Sequence, residues 1–513
     1  MMNLITDRCT GCGYCVLVCP YDALTNTGWA ELIPANCTDC NLCVYVCPND
    51  CFVPAPATPL KPYRPRVKAE YDAVIIGSGL GGLLTGAALA RTGRTVAIFE
   101  QLGFPGGRYT ELDYKGAAVS TGAWTNLGPH SHIDRLLTDL GIQLEYVSLA
   151  QMDLAEQYAI RFPDGRHYAG LFDMLTPATR KAWLKALVTG RKLLEQPIDP
   201  AAAGDSPPMP ALDAISTADY MAQFSADPDL LAAVEAIAAT ASGLPAAKLP
   251  ASEYIQITLD GQAAGREFAM PVGGIRAITR ALTKKLRQAG GELWLRSPVV
   301  QILVENNTAV GVKLADGCTV KSRSVIHNGG PAGLVRLVGP ELLPANYLAR
   351  LTALQGVDCA AIFGATREPL FTAAPITMTP GCRRLVGIFS PTLLDPNLSR
   401  NGLDLFDAFF PLAGADRTTE LALALADLRD LFPNFAELVE WTVPMFFTGA
   451  WPGTESGQTF GQTGAQRLEP VTPIQNCYLV GMDGQGSGVA GDVIPLGVRR
   501  LLTHLGVDLS DRG

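Results

Sequence analysis

The alternation of apolar and polar positions is most informative between residues 71 and 108. An apolar run, Ala73–Ile76, predicts a buried strand of a parallel sheet, and a helical pattern rich in leucine and alanine follows it. A second apolar run, Thr95–Phe99, predicts the neighbouring strand and leads directly to Glu100. The order strand, helix, strand predicts an α/β fold with a parallel sheet, around which the rest of the chain is arranged.

The turn between the first strand and its helix carries the pattern G-x-G-x-x-G at Gly77, Gly79 and Gly82. Glycine there permits a tight turn, lets the backbone approach a pyrophosphate, and lets the helix pack closely on the strand. The helix begins near Leu80, and its free N–H groups and positive dipole end favour phosphate. Glu100 follows Gly82 by eighteen residues, where a carboxylate accepts a hydrogen bond from a ribose hydroxyl. Together these features predict a dinucleotide site.

The remaining periodic segments predict a mixed α and β region. They are a hairpin over Tyr158–Tyr168, helices over Pro177–Leu194, Thr217–Ala241 and Arg417–Leu431, and strands over Val357–Ala365 and Arg384–Phe389. A second strand–GxGxxG–helix unit does not occur in the sequence, so we expect no separate nicotinamide dinucleotide domain. Electrons must therefore enter or leave by another route.

The composition describes a compact globular protein with ample material for a core, since 48% of its 513 residues are hydrophobic and 17% are charged. The net charge of −9, without a basic stripe, argues against nucleic acid as a partner. The sequence contains no run of about 18 apolar residues and opens with no signal peptide. We therefore expect a cytoplasmic protein, with peripheral contact at the inner membrane surface as the alternative.

Nine of the thirteen cysteines fall within residues 9–51, which favours metal binding in a reducing compartment over a disulfide framework. The unit C-x2-C-x2-C-x3-C-P occurs there twice, offset by 28 residues. Three closely spaced thiolates cover one face of a cubane, and in two-cluster ferredoxins the fourth cysteine ligates the other cluster. The predicted ligands of two [4Fe–4S] clusters are Cys9, Cys12, Cys15 and Cys47 for one, and Cys37, Cys40, Cys43 and Cys19 for the other.

A pair of structural zinc sites is the alternative, because C-x2-C pairs also bind zinc, although zinc requires neither the third cysteine nor the Cys-Pro step. Cys51 lies beyond the pattern and is interpreted as a packed thiol. Over residues 1–53 the chain resembles bacterial-type two-cluster ferredoxins. The proline-rich segment 54–70 that follows predicts an extended and stiff linker.

Three stretches of the remaining chain resemble the phytoene desaturase family within the amine-oxidase-like flavoproteins. They are the glycine fingerprint with Glu100, Gly107 and Arg108, then residues 269–329, then residues 476–502. The resemblance implies a Rossmann-type FAD-binding domain with an inserted mixed α+β substrate domain, preceded here by a small α+β two-cluster ferredoxin domain. The further cofactor-binding positions that it implies are the backbone at Val300, then Gly481, Asp483, Gly488 and Val489. Relatives place the acid directly after the glycine, whereas here Met482 intervenes before Asp483.

This interpretation divides the chain into segments. The ferredoxin domain is expected at 1–53 and the linker at 54–70. The FAD-binding domain is expected from residues 71–150, 269–340 and 471–513. The substrate domain is expected from residues 151–268 and 341–470.

The sequence gives little indication of which residues act as general acids or bases. The segment 120–132 lies where family members bring a loop past the flavin ring, which implies Trp124, His130 and His132 as candidates for lining the pocket. A histidine beside a flavin can relay a proton. The alternative for the end of this loop is a set of polar contacts by Ser131 and His132 at the start of a helix. Chemistry at carbon–carbon bonds depends mainly on the flavin and a shaped apolar pocket.

The sequence therefore predicts a FAD- and iron–sulfur-dependent oxidoreductase acting on CH–CH or C=C groups of a hydrophobic, polyene- or isoprenoid-like substrate. Because ferredoxin clusters near roughly −400 mV suit the delivery of electrons to FAD, reduction of a double bond, or isomerisation by reduced flavin, is favoured. The expected partners are an external low-potential donor, such as a ferredoxin-like protein, and a hydrophobic small molecule. The alternatives are a desaturase that passes electrons out through the ferredoxin domain, and an electron-transfer module without its own organic substrate.

Overall fold

The structure is a computed structural model, and it describes residues 2–54, 67–123, 128–129, 131–151, 158–195, 211–264, 269–449, 457–488 and 490–509. Trp124, His130, Val489 and most of the predicted linker lie outside these residues. Within the described part of the chain, helices that are long and apolar enough to cross a membrane are absent.

The cysteine-rich segment, residues 2–53, folds around two short helices and two antiparallel strand pairs. Its elements are β1 Asn3–Leu4, α1 Tyr14–Leu17, β2 Leu24–Asn26, β3 Ala30–Leu32, α2 Leu42–Val46 and β4 Phe52–Val53. β1 pairs with β4, and β2 pairs with β3. The residue before each helix has a positive φ, 75° at Gly13 and 62° at Asn41. The two cysteine repeats therefore share one local backbone, in which the helix carries the third cysteine.

The elements after the linker are given in chain order. The strands are β5 Glu70–Tyr71, β6 Ala73–Ile76, β7 Val96–Phe99, β8 Glu111–Tyr114, β9 Ala117–Ser120, β10 Tyr146–Ser148, β11 Tyr158–Arg161, β12 His167–Tyr168, β13 Ala269–Pro271, β14 Glu292–Trp294, β15 Val299–Glu305, β16 Thr308–Leu314, β17 Thr319–Ser322, β18 Val325–His327, β19 Cys359–Thr366, β20 Ile376–Met378, β21 Gly387–Phe389, β22 Asp404–Pro411, β23 Val439–Phe447 and β24 Cys477–Leu479. The helices are α3 Leu80–Arg91, α4 His132–Asp139, α5 Leu171–Met174, α6 Pro177–Leu194, α7 Thr217–Ala222, α8 Pro228–Ser242, α9 Ala251–Ala264, α10 Arg276–Gln288, α11 Pro331–Val338, α12 Ala345–Thr352, α13 Pro391–Leu394, α14 Arg417–Leu431, α15 Phe435–Leu438 and α16 Ile494–His504.

The first sheet is parallel and has the strand order β14-β7-β6-β18-β24. Strands β6 and β7 are buried at every position. Helices α3, α10 and α16 cover one face of the sheet, and strands β15, β16 and β17 cover the other. Two covered faces explain why β6 and β7 are continuous apolar runs rather than alternating ones. The carboxyl ends of the strands meet at one edge, which is where such sheets bind ligands.

The second sheet has seven strands in the order β12-β11-β20-β21-β22-β19-β23 and is mixed in direction. One of its faces packs on α14. The other face belongs to an apolar core that also contains Tyr14, Val16 and Leu17 of the cysteine-rich segment. The cysteine-rich segment therefore shares a core with the rest of the chain.

Most predicted elements form with small changes at their ends, and one helix divides. The hairpin at Tyr158–Tyr168 and the helices at Pro177–Leu194 and Arg417–Leu431 are present. The helix predicted over Thr217–Ala241 is two helices, α7 and α8, because Asp227 caps a new helix that starts at Pro228. The Asp227 side chain accepts hydrogen bonds from the first N–H groups of α8, and proline suits the first helical position.

Candidate cofactor and active site

A cavity of about 310 Å³ opens at the carboxyl ends of strands β6, β7, β18 and β24. The predicted cofactor-binding residues that line it are Gly77, Gly79, Leu80, Glu100, Gly107, Arg108, Gly481 and Asp483. These residues come from the glycine fingerprint and from residues 476–502, two of the three stretches that carry the resemblance. The fold brings them together at one edge of the sheet. Gly82 lies behind this wall in α3, where it is buried.

The fingerprint turn has the shape that a pyrophosphate site requires. Gly77 has φ +94°, a left-handed value that favours glycine. A Cβ at Gly82 would overlap the carbonyl oxygen of Gly77, so only glycine lets α3 pack this closely on the turn. Helix α3 begins at Leu80, and within the described structure no side chain caps it. Its first N–H groups and positive dipole end are therefore available to phosphate.

Glu100 stands at the end of β7 and is only 5% exposed. Its Oε2 accepts hydrogen bonds from the N–H and the hydroxyl of Ser78 at 2.7 and 2.8 Å, and its Oε1 accepts from the N–H of Leu102 at 2.8 Å. Burial raises the pKa of this carboxyl, while the three hydrogen bonds favour its charged form. A carboxylate has about four acceptor positions. Glu100 therefore retains capacity to accept from a ribose hydroxyl.

A buried arginine that the sequence did not indicate holds the closing glycine motif. The guanidinium of Arg467, which is 2% exposed, donates to the carbonyl oxygens of Met482 and Gly484. Met482 and Asp483 both line the cavity, although Met482 separates Asp483 from Gly481. The guanidinium fixes the loop that carries Asp483. Local sequence gives no signal for Arg467, because its partners lie 15 and 17 residues further along the chain.

Asn328 is a second cavity residue that sequence analysis missed. It follows β18, lines the cavity, and places its side-chain Nδ2 2.6 Å from where a Cβ at Gly79 would stand. A side chain at Gly79 would therefore meet Asn328 as well as the space for a pyrophosphate. The sequence carries a local signal here, because Asn328 is followed by two glycines and by Pro331, where helix α11 begins.

Two predicted positions stand away from the cavity wall. Val300 is 49% exposed, and its neighbour Val299 lines the cavity instead. Gly488 lies one layer behind the wall, where its carbonyl oxygen accepts a hydrogen bond from Nε2 of Gln458 at 2.9 Å. Gln458 itself lines the cavity. The roles of Val300 and Gly488 stay predictions.

The histidine-containing loop is described only in part, since Trp124 and His130 lie outside the described residues. The hydroxyl of Ser131 accepts a hydrogen bond from the N–H of Asp134 and so caps α4. The N–H of His132 donates to Asp492 at 3.0 Å. Ser131 and His132 therefore make the helix-start contacts that were the alternative to a catalytic role.

Glu253 is a buried carboxyl close to the cavity and was not singled out from the sequence. It is 1% exposed, and its Oε2 accepts from Nε2 of Gln458 at 2.9 Å and from the N–H of Gly488 at 3.3 Å. Burial raises the pKa of Glu253 to about 7. This carboxyl links the closing motif to helix α9.

The cavity extends from the fingerprint to an apolar wall built by the inserted region and the second sheet. This wall is formed by Ala241, Val357, Cys359, Phe409 and Phe447. They belong to α8, to β19 and the residues before it, and to β22 and β23. An apolar wall beside a nucleotide cradle suits a hydrophobic organic molecule.

A small cavity in the cysteine-rich segment is lined by Cys9, Cys12, Cys15 and Cys47, which we call the inner set. Three of these cysteines come from the first repeat and one from the second. Backbone N–H groups of Gly11 and Ala30 donate to Sγ of Cys9 at 3.4 and 3.3 Å, and the N–H of Cys51 donates to Sγ of Cys47 at 3.3 Å. Hydrogen bonds of this kind stabilise thiolates and tune the clusters they bind.

Cys51 lies between two members of the inner set and is 2% exposed. A hydrogen bond with its thiol lowers the pKa of Cys9 to about 6 and the pKa of Cys47 to about 7. Burial has the opposite effect on Cys12, whose pKa rises to about 12. Cys51 is thus a buried hydrogen-bond partner of Cys9 and Cys47 in the inner set.

The outer set, Cys37, Cys40, Cys43 and Cys19, lies nearer to solvent. Cys40 is exposed and the other three are half-buried. Burial raises the pKa of Cys43 to about 12, and the charges of Cys40 and Cys37 add to this effect, so the three sulfurs are neighbours. Within the described residues, no three metal-binding side chains converge tightly enough to hold a single ion.

Tyr14 connects the inner set to the cavity at the edge of the first sheet. It lies between Cys12 and Cys15, is fully buried, and donates its hydroxyl hydrogen to the carbonyl oxygen of Thr121 at 2.9 Å. The hydroxyl of Thr121 donates to the carbonyl oxygen of Gly107 at 2.9 Å, and Gly107 lines the cavity. Two hydrogen bonds therefore lead from the helix of the first repeat to the cavity wall.

The contact between the cysteine-rich segment and the rest of the chain, which we call the seam, combines polar bonds with close packing. Nδ2 of Asn26 donates to the carbonyl oxygen of Pro444 at 2.7 Å, and the guanidinium of Arg417 donates to the carbonyl oxygen of Cys9 at 3.0 Å. A Cβ at Gly13 would stand 2.7 Å from Cγ of Met445. These directional bonds and the tight fit hold the segment in one orientation.

The geometry defines the class of protein. A glycine cradle with an uncapped helix start, a buried acid and an adjoining apolar wall fit FAD and an organic substrate, so the protein is a FAD-dependent oxidoreductase with iron–sulfur-binding domains. Residues 80–495 match the flavin-containing amine oxidoreductase family, and the chain belongs to this family. Residues 2–25 and 34–50 match 4Fe-4S binding domains.

The relatives of the chain include carotenoid enzymes. It is 28% identical over 286 residues to the chloroplastic prolycopene isomerase of Daucus carota, covering 50% of this chain and 46% of that protein. It is 26% identical over 282 residues to the neurosporene-forming phytoene desaturase of Cereibacter sphaeroides, covering 50% of this chain and 52% of that protein. The chain thus spans about half the length of these relatives.

Among solved structures, the fold matches an oxidoreductase from Methanosarcina mazei with a TM-score of 0.72 and 25% identity, covering 84% of this chain and 99% of that one. The predicted fold class, the resemblance to both families and the assignment as a FAD- and iron–sulfur-dependent oxidoreductase are therefore confirmed.

Proposed function

We propose that this protein reduces a carbon–carbon double bond of a hydrophobic, polyene- or isoprenoid-like substrate, or isomerises it with reduced flavin. In this proposal, electrons come from an external low-potential donor and pass to FAD through two [4Fe–4S] clusters. The inner set, Cys9, Cys12, Cys15 and Cys47, holds one cluster. The outer set, Cys37, Cys40, Cys43 and Cys19, holds the other.

The observation that carries the proposal is the opposite placement of the two sets. The inner set lies at the seam, and the hydrogen bonds of Tyr14 and Thr121 lead from it to the cavity wall at Gly107. The outer set includes the exposed Cys40 and lies where a partner can approach. This arrangement supports electron entry at the outer set and delivery at the inner one.

The residues of the cavity have separable tasks. With FAD bound, Glu100 would accept from the ribose, and the first N–H groups of α3 and the guanidinium of Arg108 would bind the pyrophosphate. Asp483, on the loop fixed by Arg467, would bind the ribityl chain. FAD, when bound there, supplies hydride transfer to or from carbon. The apolar wall around Phe409 and Phe447 excludes water and orients the substrate.

The apolar wall also favours an enzyme over an electron-transfer module without a substrate. A module of that kind needs an exposed flavin edge, whereas this cavity continues past the nucleotide cradle into an apolar lining. The named relatives are an isomerase of prolycopene and a desaturase of phytoene. Their names support a polyene-like substrate class for this chain.

The direction of electron flow is tested with full-length protein purified anaerobically. A catalytic amount of a low-potential ferredoxin, kept reduced, is mixed with the protein while flavin absorbance is followed. We expect complete bleaching of the flavin, little bleaching by NADH or NADPH, and reoxidation of the reduced protein by a polyene or isoprenoid extract. Iron analysis should give about eight atoms per chain, as two cubanes require.

Two outcomes would overturn the proposal. Rapid, stoichiometric flavin reduction by NADPH would reverse the route and make the cysteine-rich segment an exit for electrons. An iron content near zero, with one or two zinc atoms per chain, would remove the clusters.

A further inference from the structure

An open cleft of about 500 Å³ runs along helix α10, outside the flavin cavity. The cationic side chains that line it are Arg276, Arg280, Lys284 and Arg287. The opposite wall includes Phe104, Pro105 and Glu111. A single carboxylate in the lining thus faces four cations, in a chain whose net charge is −9.

Most of this positive charge is not neutralised. Arg276 forms ion pairs with Glu111 at 3.5 Å and with Asp113 at 2.8 Å. Arg280, Lys284 and Arg287 are exposed, and none of them makes an ion pair with another residue that the structure describes. Their spacing along α10 places them on one face of the helix. Arg280 also lies close enough to Glu111 and Asp113 for its charge to lower the pKa of both carboxyls. Two carboxylates thus face the N-terminal part of a stripe of four positive charges, and Lys284 and Arg287 extend the stripe beyond them.

The cleft adjoins the helices that carry the cysteines. The ring of Phe104, on the cleft wall, packs edge-on against Tyr14 with centroids 5.7 Å apart. The N–H of Gly103 donates to the carbonyl oxygen of Tyr45 in α2 at 2.9 Å. Five residues make up α2, so it is about 7 Å long, and the exposed Cys40 lies just beyond its other end. A protein seated on the cleft would therefore also cover the approach to the outer set.

We propose that the α10 stripe and its cleft dock an acidic one-electron carrier protein. This inference rests on the proposed function, because it supplies the surface at which the external donor binds. Each docking transfers one electron: the carrier is oxidised and the outer iron–sulfur site is reduced. Two dockings supply the electron pair that reduces FAD. The acidic remainder of the surface repels the same carrier, so charge selects this orientation.

The length of the charged stripe favours a carrier protein over a small anion as its partner. From Arg276 to Arg287 the charges extend over about 16 Å of helix axis, because each residue advances the helix by about 1.5 Å. A phosphate or carboxylate is bound by donors that converge on one point. Exposed charges spread over this length instead match the surface of an acidic protein.

The test reverses two charges in the full-length holoprotein, K284E with R287E. The matched control reverses two exposed lysines of α6, K181E with K185E, at the same cost in net charge. The rate of flavin reduction by a reduced acidic ferredoxin is measured between about 50 and 400 mM salt. We expect the cleft variant to be roughly tenfold slower at low salt and to lose most of its salt dependence, while the control stays within about twofold of the unmodified protein.

Reduction by dithionite, a small reductant that needs no docking surface, should be equal in all three proteins and shows that the variants are intact. An unchanged ferredoxin rate in the cleft variant would overturn the docking surface and leave the proposed function standing. An equal loss in both variants would also overturn it, because overall charge would be responsible. Pyrophosphate, added at constant ionic strength, tests the small-anion alternative. If it inhibits the unmodified protein but not the cleft variant, and the cleft variant is reduced at the normal rate, then the cleft binds small anions instead. If ferredoxin reduces none of the proteins while dithionite reduces all, the proposed function itself is wrong.

Discussion

In the first cysteine repeat, Gly11 and Gly13 occupy the positions that Asp39 and Asn41 occupy in the second. All four residues have positive φ, between 54° and 75°. Aspartate and asparagine tolerate this conformation, so the backbone alone does not require glycine. In the first repeat a Cβ at Gly11 would overlap a backbone carbonyl oxygen, and one at Gly13 would press on Met445. Glycine is needed at these two positions because a side chain would not fit.

The residue that begins each helix differs in the same way. Tyr14 of the first repeat is fully buried at the seam, whereas Leu42 of the second is 38% exposed. The side chain of Asp39 bonds within the cysteine-rich segment, where it accepts a hydrogen bond from the N–H of Met2 at 2.6 Å. The cysteine spacing is the same in both repeats, so the residues between the cysteines specify what each repeat contacts.

The largest expected difference between the repeats follows from removing one ligand of each set. Cys12→Ser and Cys40→Ser should each lower the iron content from about eight to about four atoms per chain. Cys12→Ser should in addition abolish flavin reduction by ferredoxin, because the proposed inner set is the last step before FAD. Cys40→Ser should keep the inner cluster and a slower reduction. Iron analysis and stopped-flow absorbance measure both effects, and equal losses of rate would refute the order outer, inner, FAD.

A smaller difference is expected when the positive-φ residues are exchanged. Gly13→Asn should destabilise the folded protein by roughly 2–3 kcal/mol, because the new side chain must displace Met445 at the seam. Asn41→Gly should cost less than about 1 kcal/mol, mainly through the greater freedom of the unfolded chain. Anaerobic denaturant unfolding of the holoprotein gives both values.

Gly93→Asn is the matched control for Gly13→Asn. Gly93 has φ +81°, and a Cβ there would meet no atom within 4 Å. It therefore reports the cost of asparagine at a positive φ without any crowding, which we expect to be below about 1 kcal/mol. If Gly13→Asn is no worse than this control, then the seam is looser than its geometry indicates.

The smallest expected difference concerns the first helical residues. Tyr14→Phe removes the hydrogen bond to Thr121 and should cost about 1 kcal/mol, since a buried carbonyl oxygen loses its donor. Leu42→Ala, at an exposed position, should change the free energy of unfolding by no more than about 0.5 kcal/mol. Tyr14→Phe should also slow flavin reduction by ferredoxin by a small factor at unchanged iron content. An effect of Leu42→Ala as large as that of Tyr14→Phe would argue against the assignment of inner and outer roles.

Local rules account for the parts of the fold that could be predicted. Strands β6 and β7, helix α3 and the hairpin at Tyr158–Tyr168 follow from apolar periodicity and glycine positions, which need no distant partner. Helix α14 has the predicted limits, and Asp416, which caps it, lies next to them in sequence. The division of α7 from α8 was readable from Asp227 and Pro228. A capping residue followed by proline is a local signal for the start of a new helix.

Long-range partners account for what could not be predicted. Arg467 reaches the cavity loop because the chain returns and brings Met482 and Gly484 to its guanidinium. The bond from Asn26 to Pro444 joins residues 418 positions apart. The proline-rich segment predicts a stiff linker, but it does not indicate which surface the cysteine-rich segment contacts, and that segment shares an apolar core with the second sheet. Contacts between such distant residues cannot be predicted from a local sequence pattern.

The burial of the inner set has a consequence for how this protein is made. Cys12 and Cys15 are 8% and 6% exposed, and the seam covers them from the side of the second sheet. Under the proposed function, we therefore expect a cluster-delivery protein to reach these thiols while the segment is still undocked. During that interval the apolar residues of the seam, among them Val443 and Met445, would be uncovered and open to chaperones and proteases. The expected order of maturation is iron insertion first and docking of the segment second.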